Sequence, residues 1–257
     1  MTHRPWWGAV LAWLLPVGLF AAWVVLANRG WMPSRVLPAP GAVAAAALKL
    51  VQTGELMEHV RISTFRALLG FSLGGGIGFL LGLANGLSPL AERLLDSSLQ
   101  MLRNVPHLAL VPLVIIWFGI GEEAKVFLVA LGVFFPIYLN TFHGVRTVDR
   151  PLVEMGRSHG LSGFELFRHV IFPGALPSIL VGVRYALGFM WLTLIVAETI
   201  ASTSGIGYLA MSAREFMQTE VVVLAILLYA LLGKAADLVT RCLEKRLLRW
   251  HPAFLSS

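Results

Sequence analysis

The sequence predicts an all-α protein that crosses a membrane about six times. Of its 257 residues, 57% are hydrophobic and only 13% are charged, and the mean hydropathy is +0.77. A soluble globule of this length needs more polar residues to cover its surface, so the bilayer is the expected solvent. Apolar runs of about 20 residues, the length that spans a bilayer as a helix, recur along the chain. These observations predict one polytopic membrane domain, residues 1–257.

Six apolar runs are candidate transmembrane helices. The third and fourth are separated only by the sequence GIGEEA, which predicts a tight hairpin. The first has an alternative interpretation as a signal peptide, because His3 and Arg4 precede it, although its apolar stretch is longer than usual for such a peptide. The six runs are Gly8–Ala27, Phe65–Leu87, Val105–Gly121, Ala124–Gly144, Gly174–Ile200 and Val221–Thr240.

The first two runs are joined by an alanine-rich segment, and the second contains a stripe of glycines. The segment Pro38–Ser63 has apolar residues at helical spacing, which predicts an interfacial helix on the outer leaflet. A glycine every four residues lets two helix backbones approach closely in lipid. A crossing within the chain or a contact between subunits would use such a stripe, which consists of Gly70, Gly74, Gly78, Gly82 and Gly86.

The third run carries its own start signal. Asn104 followed by Pro106 is typical of a capped first turn, because asparagine accepts a hydrogen bond from a free N–H and proline tolerates the first helical positions. Pro112 predicts a kink further along this helix.

Basic residues set the expected orientation. If both termini are cytoplasmic, eleven of the 20 lysines and arginines lie in cytoplasmic segments and six lie on the other side, which is the expected bias. The eleven are Arg4, Arg93, Arg103, Arg146, Arg150, Arg157, Arg168, Arg241, Lys245, Arg246 and Arg249. These residues form no stripe with interleaved aromatics, so nucleic acid is not an expected partner.

Residues 149–173 form a polar insert between two apolar runs. Gly160 ends a first short helix, and Ser162 with Glu165 fits a capping box for a second one. Pro173 predicts a tight change of direction into the fifth span. Such a helix pair either lies flat on the membrane or docks on a soluble partner, and the charge assignment places it in the cytoplasm.

This insert resembles the EAA signature of the inner-membrane permease subunits of ABC importers. Glu154 is followed six residues later by Gly160, and VIFP ends at Pro173, while Met155 and Gly156 replace the paired alanines of the signature. The resemblance extends over about residues 10–250. The segments QMLRNVPHLALVPLVIIWFGIGEEAKVFLVALG, FPIYLNTFHGVR and MWLTLIVAETIASTSGIGYLAM are similar to aliphatic sulfonate permeases, within a wider group that also handles taurine and nitrate.

The resemblance implies a type I importer permease in the bacterial inner membrane. It implies a homodimer surrounded by lipid, two ATP-binding cassette subunits docked at the hairpin, and an extracytoplasmic binding protein that delivers substrate. ATP and magnesium would be bound by the cassette subunits and no cofactor by this chain, which has no G-x-x-x-x-G-K-[ST] motif of its own. The residues expected to couple to the ATPase are Glu154, Gly160, Leu161, Ser162 and Pro173.

Polar residues within the spans are candidates for a translocation path, because ionisable groups at membrane depth are costly. Arg184 would attract a sulfonate, or else reach headgroups or a backbone carbonyl. Glu198 would repel an anion, which favours a structural or gating role. Asn140, Thr193 and Thr199 offer neutral donors, unless they bond to their own backbone.

Other residue patterns disfavour enzyme and metal chemistry. The histidines lack the spacing of a metal site, no nucleophile motif occurs, and a single cysteine forms no internal disulfide. Lys234 and Asp237, three residues apart, predict an ion pair. Two other classes stay open: a gradient-driven secondary transporter, which needs a relay of buried carboxylates, and a structural membrane protein without a substrate path.

Overall fold

Every secondary-structure element in the residues that the computed structural model describes, 6–200 and 202–250, is a helix, and the all-α class is therefore confirmed. The elements are α1 Trp6–Asn28, α2 Pro40–Gln52, α3 Glu55–Leu87, α4 Pro89–Arg103, a 3₁₀ turn His107–Leu110, α5 Val111–Phe118, α6 Glu122–Arg146, α7 Arg150–Ser158, α8 Gly163–Leu166, a π-helical turn Phe167–Ile171, α9 Phe172–Ile200, α10 Ile206–Glu215 and α11 Thr219–Leu247.

Four unbroken helices of the described residues are long and apolar enough to cross a membrane. They are Glu55–Leu87, Glu122–Arg146, Gly163–Ile200 and Thr219–Leu247. A fifth crossing is broken, because Pro89–Arg103 and His107–Phe118 meet at 80°. The predicted first span lies within α1, of which Trp13–Asn28 is a shorter apolar helix. By length and composition, four helices and one broken pair of the described residues therefore qualify as crossings, while the predicted first crossing falls on the 23-residue helix α1.

The third predicted span differs most from the structure. Asn104 caps the C-terminal end of α4 instead of starting a helix, and Pro106 precedes the 3₁₀ turn. Pro112 lies in the first turn of α5, where no helical hydrogen bond is lost, so it produces no kink. The preceding helix α4 was not predicted. It begins where the Ser88 hydroxyl accepts a hydrogen bond from the N–H of Ala91 at 3.3 Å, and it buries none of its residues.

The second span begins ten residues earlier than the sequence predicts. The interfacial segment forms α2 only as far as Gln52, and Gly54, with φ of +80°, turns the chain directly into α3. The polar residues in the first turns of α3 include His59, Ser63 and Arg66, which are buried against other parts of the protein. Their partners lie far away in sequence. These residues therefore lower the mean hydropathy of a sequence window, although they belong to the spanning helix.

The glycine stripe of α3 lies against α6 within the same chain. A Cβ added at Gly70 would lie 2.6 Å from Cβ of Val129, and one added at Gly86 would lie 2.8 Å from Cβ of Val145. Both distances are far inside van der Waals contact, so the two backbones approach as closely as glycine permits. The contacts advance together along both helices, which therefore run in parallel.

The opposite face of α6 packs against α9, which runs antiparallel to it. Gly182 of α9 contacts α6 closely enough that a Cβ there would lie 2.6 Å from Cβ of Asn140. The buried residues shared by α3, α6 and α9 include Ala67, Val133 and Leu194. The core of the described chain is thus a three-helix layer with α6 in the middle.

Candidate functional site

The first candidate region is the helical hairpin that joins α6 to α9, Arg150–Ile171. We call the ends of α6 and α9 beside it the hairpin end, and the opposite ends the far end. The hairpin ends α7 with a left-handed glycine: Gly160 has φ of +86° and its N–H donates to the carbonyl of Arg157 at 2.9 Å. The N–H of Leu161 donates to the carbonyl of Gly156 at 3.0 Å. This pair of bonds is a Schellman motif, which explains the glycine at position 160.

The inside of the hairpin is small and apolar. Gly156 is buried, and a Cβ there would lie 2.9 Å from Leu166 and 3.1 Å from Val170. The neighbouring Met155 points outward with 55% exposure, and Phe164 is 72% exposed. The departure from the paired alanines of the EAA signature therefore leaves a compact interior and adds a large apolar side chain to the outer surface.

Two details of the predicted hairpin are wrong. Ser162 precedes α8 in an extended conformation, but its side chain makes no capping bond, and the N–H of Glu165 bonds to its main-chain carbonyl at 3.1 Å instead. Pro173 marks no change of direction, because Gly163–Ile200 is one continuous helix. The N–H of Phe172 bonds to the carbonyl of Phe167 across a widened π turn, which accommodates the proline that follows.

The predicted coupling residues lie on the outer side or at the base of the hairpin. Glu154, Gly160 and Ser162 are exposed, whereas Leu161 and Pro173 are half-buried. Within the described part of the chain, Glu154 makes no ion pair with another side chain. Its carboxylate is therefore available to a group outside this chain.

The second region is a buried polar network at the far end, centred on Glu198. This carboxylate is 1% exposed and accepts hydrogen bonds from the hydroxyl of Ser63 at 2.8 Å, Nη1 of Arg66 at 2.7 Å, the N–H of Gly207 at 2.9 Å and the hydroxyl of Tyr229 at 3.0 Å. Four segments, α3, α9, α10 and α11, therefore meet on one side chain. The arrangement fits a structural role for Glu198, and gating stays a prediction.

Arg66 of this network is shared between two carboxylates. It is 1% exposed and donates to Glu122 through Nε and Nη2, both at 2.5 Å, while Nη1 donates to Glu198. The side chain of Glu122 is 60% exposed, so the network reaches from the interior to the surface. Arg66 also donates to the carbonyl of Ser204 at 2.7 Å and thereby fixes the loop before α10.

Sequence reasoning identified only part of this network. The sequence predicts a structural or gating role for Glu198 but indicates none for Arg66. An arginine at the start of an apolar run is itself an available signal, because such a residue needs a partner. Ser63 and Tyr229 gave no signal, since each is an ordinary residue of its helix.

Two of the remaining predicted path residues, Arg184 and Thr199, form hydrogen bonds within the chain. Arg184 donates to Glu244 of α11 rather than to a carbonyl or a headgroup, and its charge is therefore compensated within the chain. The predicted pair of Lys234 and Asp237 is confirmed at 3.7 Å. Thr199 donates to the carbonyl of Val196 in its own helix at 3.0 Å. None of these residues lines the cavity described next.

The third region is a cavity of about 280 Å³ between α4, α6 and α9. It contains Asn140, whose amide donates to the carbonyl of Pro136 at 2.8 Å, and His107, whose Nε2 lies 3.2 Å from the hydroxyl of buried Thr193. Of the predicted path residues, Asn140 therefore lines this cavity directly, and Thr193 contacts His107 of its lining. Its lining consists of Arg103, Val105, His107, Leu131, Gly132, Phe135, Pro136, Leu139, Asn140, Tyr185 and Phe189.

Comparison with known proteins gives a consistent picture. Residues 74–249 match the family described as "Binding-protein-dependent transport system inner membrane component". The chain is 63% identical over 98% of its length to the putative aliphatic sulfonates transport permease protein SsuC of Escherichia coli, covering 95% of that protein. It is 45% identical over 98% of its length to the SsuC protein of Bacillus subtilis, covering 91% of it.

More distant similarities agree in fold. The taurine transport system permease protein TauC of Escherichia coli is 36% identical over 91% of this chain and 86% of its own length. Among solved structures, an inward-facing MetNI methionine ABC transporter chain is matched over 76% of this chain and 97% of that chain, with a TM-score of 0.54 and 18% identity.

Proposed function

The chain belongs to the family of binding-protein-dependent transport system inner membrane components, and we propose on this premise that it is the membrane-spanning subunit of an ATP-driven importer of aliphatic sulfonates. It is a transport permease, and its relatives are permeases rather than enzymes. Because this chain carries no Walker motif, the energy has to come from another polypeptide or from an ion gradient. The match to the binding-protein-dependent transport family favours another polypeptide over a gradient-driven mechanism.

The proposed assembly is a homodimer of this chain with two ATP-binding cassette subunits and an extracytoplasmic binding protein. The cassette subunits bind ATP and magnesium and dock at the hairpin. Both termini and the hairpin lie in the cytoplasm, in agreement with the excess of arginine and lysine at that end. The far end then faces the binding protein.

One observation supports docking at the hairpin most strongly: the hairpin is exposed and rigidly joined to a spanning helix. Its interior is closed by Gly156, Leu166 and Val170, and α8 continues through the π turn into α9 without a loop. A helix without a hinge transmits a displacement of its end along its length. Movement of docked partners would therefore tilt α9 as a rod and open the chain toward one side of the membrane.

The substrate class rests on the two SsuC relatives. The names of both relatives specify aliphatic sulfonates, and both relatives align with nearly the whole chain. The taurine permease is less similar. Taurine, nitrate and other small anions are the alternative substrates. Uptake of competing anions by the reconstituted importer decides between them, since an alkanesulfonate importer should take up ethanesulfonate in preference to nitrate.

The docking role is tested by Gly160→Val, with Gly54→Val as the matched control. Both glycines have a positive φ, +86° and +80°, and both have open space around the position of a Cβ. Valine is equally strained at each, by about 1–2 kcal/mol or more, but only Gly160 lies in the hairpin. We expect Gly160→Val to insert and assemble normally while uptake per ATP hydrolysed falls severalfold, and Gly54→Val to remain coupled. Normal coupling in Gly160→Val would refute docking at this turn.

A further inference from the structure

We propose that the cavity between α4, α6 and α9 binds the alkanesulfonate itself during its passage, with Arg103 holding the sulfonate group and the apolar wall holding the alkyl chain. The substrate class is taken from the proposed function, so this inference rests on it. The site lies within the membrane-spanning subunit and is separate from any site on the binding protein.

The charge of Arg103 is the first argument. This residue ends α4, is exposed, and makes no ion pair or hydrogen bond within the described part of the chain. The two arginines inside the predicted apolar runs differ, because Arg66 is held by two carboxylates and Arg184 by Glu244. No carboxylate occurs among the residues that line the cavity. A fork of guanidinium N–H groups suits an oxyanion such as a sulfonate.

The wall of the cavity is the second argument. Leu131, Phe135, Leu139 and Phe189 give it an apolar surface, and a volume of about 280 Å³ is close to the lower end of the about 300–1,000 Å³ typical of small-ligand sites. Inorganic anions would leave this surface without a partner. A short alkyl chain attached to an anionic head matches both the charge and the wall.

Neutral polar groups complete the lining without adding negative charge. One ring nitrogen of His107 is engaged by Thr193, and its other nitrogen has no hydrogen bond to the described residues. Asn140 and Tyr185 are also at the wall. These groups can donate to sulfonate oxygens, whereas a buried carboxylate such as Glu198 would repel them.

The depth of the cavity along α6 is consistent with a binding site on the translocation path. Asn140 lies six residues before α6 ends at Arg146, about 9 Å from the hairpin end, and Gly132 lies fourteen residues before it, about 21 Å. The cavity therefore extends from the middle of the span toward the hairpin end. An anion at this depth is costly without a compensating cation, and Arg103 supplies one.

The decisive experiment measures binding of alkanesulfonates to the complete purified importer without its binding protein. Hexanesulfonate binding is followed by calorimetry for the wild type, Arg103→Gln, Arg103→Lys and the control Arg93→Gln, which changes an exposed arginine of the same helix outside the cavity. We expect Arg103→Gln to weaken binding about tenfold or more, Arg103→Lys to weaken it less, and Arg93→Gln to have no effect. Equal binding by Arg103→Gln and Arg93→Gln would overturn the proposal.

Two further measurements test whether the apolar wall binds the alkyl chain and whether an anionic lipid competes for the cavity. Affinity should rise by up to about fourfold per methylene from methanesulfonate to hexanesulfonate, and Leu131→Trp should reduce this gain per methylene because it fills the space of the alkyl chain. Anionic phosphatidylglycerol, titrated into the same complex, should not displace hexanesulfonate in an Arg103-dependent manner. A lack of chain-length dependence, or displacement by the lipid, would show that the cavity is not an alkanesulfonate site.

Failure of this site and failure of the proposed function give different results. If the wild-type importer takes up alkanesulfonates with ATP but Arg103→Gln binds as well as Arg93→Gln, only the site is wrong. If wild-type vesicles with all partners show no ATP-dependent alkanesulfonate uptake, the proposed function itself is wrong.

Discussion

Removal of the Glu198 carboxylate should destabilise the chain far more than removal of the Glu122 carboxylate, although both bind the same arginine. Glu198 is 1% exposed, whereas the side chain of Glu122 is 60% exposed. In Glu198→Ala, Arg66 keeps Glu122, but Ser63, Tyr229 and a backbone N–H lose an acceptor in the interior. In Glu122→Ala, water can replace the lost oxygen atoms.

The magnitudes follow from this difference in burial. Truncating one partner of a buried ion pair costs about 3–5 kcal/mol, and we expect the lower end for Glu198→Ala because Arg66 retains one carboxylate. An exposed ion pair contributes about 0–1 kcal/mol, so Glu122→Ala should cost about 1 kcal/mol or less. Glu198→Gln keeps the size of the side chain but turns an acceptor into a donor that faces other donors, at about 1–3 kcal/mol.

The assay is thermal stability of the assembled complex in detergent, followed by size-exclusion chromatography of the fluorescently tagged protein after heating. A shift of about 2–4 °C per kcal/mol for a domain of this size predicts that Glu198→Ala lowers the midpoint by about 6–12 °C and Glu122→Ala by less than about 4 °C. Equal shifts for the two variants, or an unchanged midpoint for Glu198→Ala, would refute the central position of Glu198.

Two further predictions concern helix packing and Arg184. Gly74→Leu should prevent accumulation of folded protein, because even a Cβ there overlaps the backbone of α6, whereas Gly76→Leu, which has open space, should accumulate normally in membrane fractions. Arg184→Gln should retain alkanesulfonate uptake, and a double-mutant cycle with Glu244→Gln should give a coupling energy of about 0.5–3 kcal/mol. Loss of uptake in a well-assembled Arg184→Gln complex would instead place this residue on the path.

Sequence patterns predict those helices and turns that are specified by residues close together in the chain. The fourth, fifth and sixth runs lie inside α6, the helix Gly163–Ile200 and α11, because an apolar run long enough to span a bilayer is sufficient to specify such a helix. The turn at Gly160 was also predictable, since a left-handed C-terminal position favours glycine over other residues. The absence of a capping bond from the Ser162 side chain was not predictable, because the N–H of Glu165 bonds to the main-chain carbonyl of Ser162.

The parts that sequence reasoning missed depend on partners far away in the chain. Ser63 and Arg66 meet Glu198 across 135 and 132 residues, so nothing near them in sequence shows that their polarity is satisfied. The break after α4 has a different cause. A hydropathy window sums apolar residues without regard to direction, and it gives the same value whether the chain is straight or bends by 80° at Asn104.

The placement of polar groups along α9 connects the two ends of the molecule. At the far end, Glu198 connects α9 to α3, α10 and α11, and at the hairpin end α9 continues without a loop into the hairpin. A buried carboxylate with four donors cannot exchange them gradually for water, so the far end is held in one arrangement or released as a unit. Displacement of the hairpin would then be transmitted against a fixed far end. The helix therefore pivots there, and its displacement grows from the far end, through the cavity lined by Arg103 and Asn140, to the hairpin.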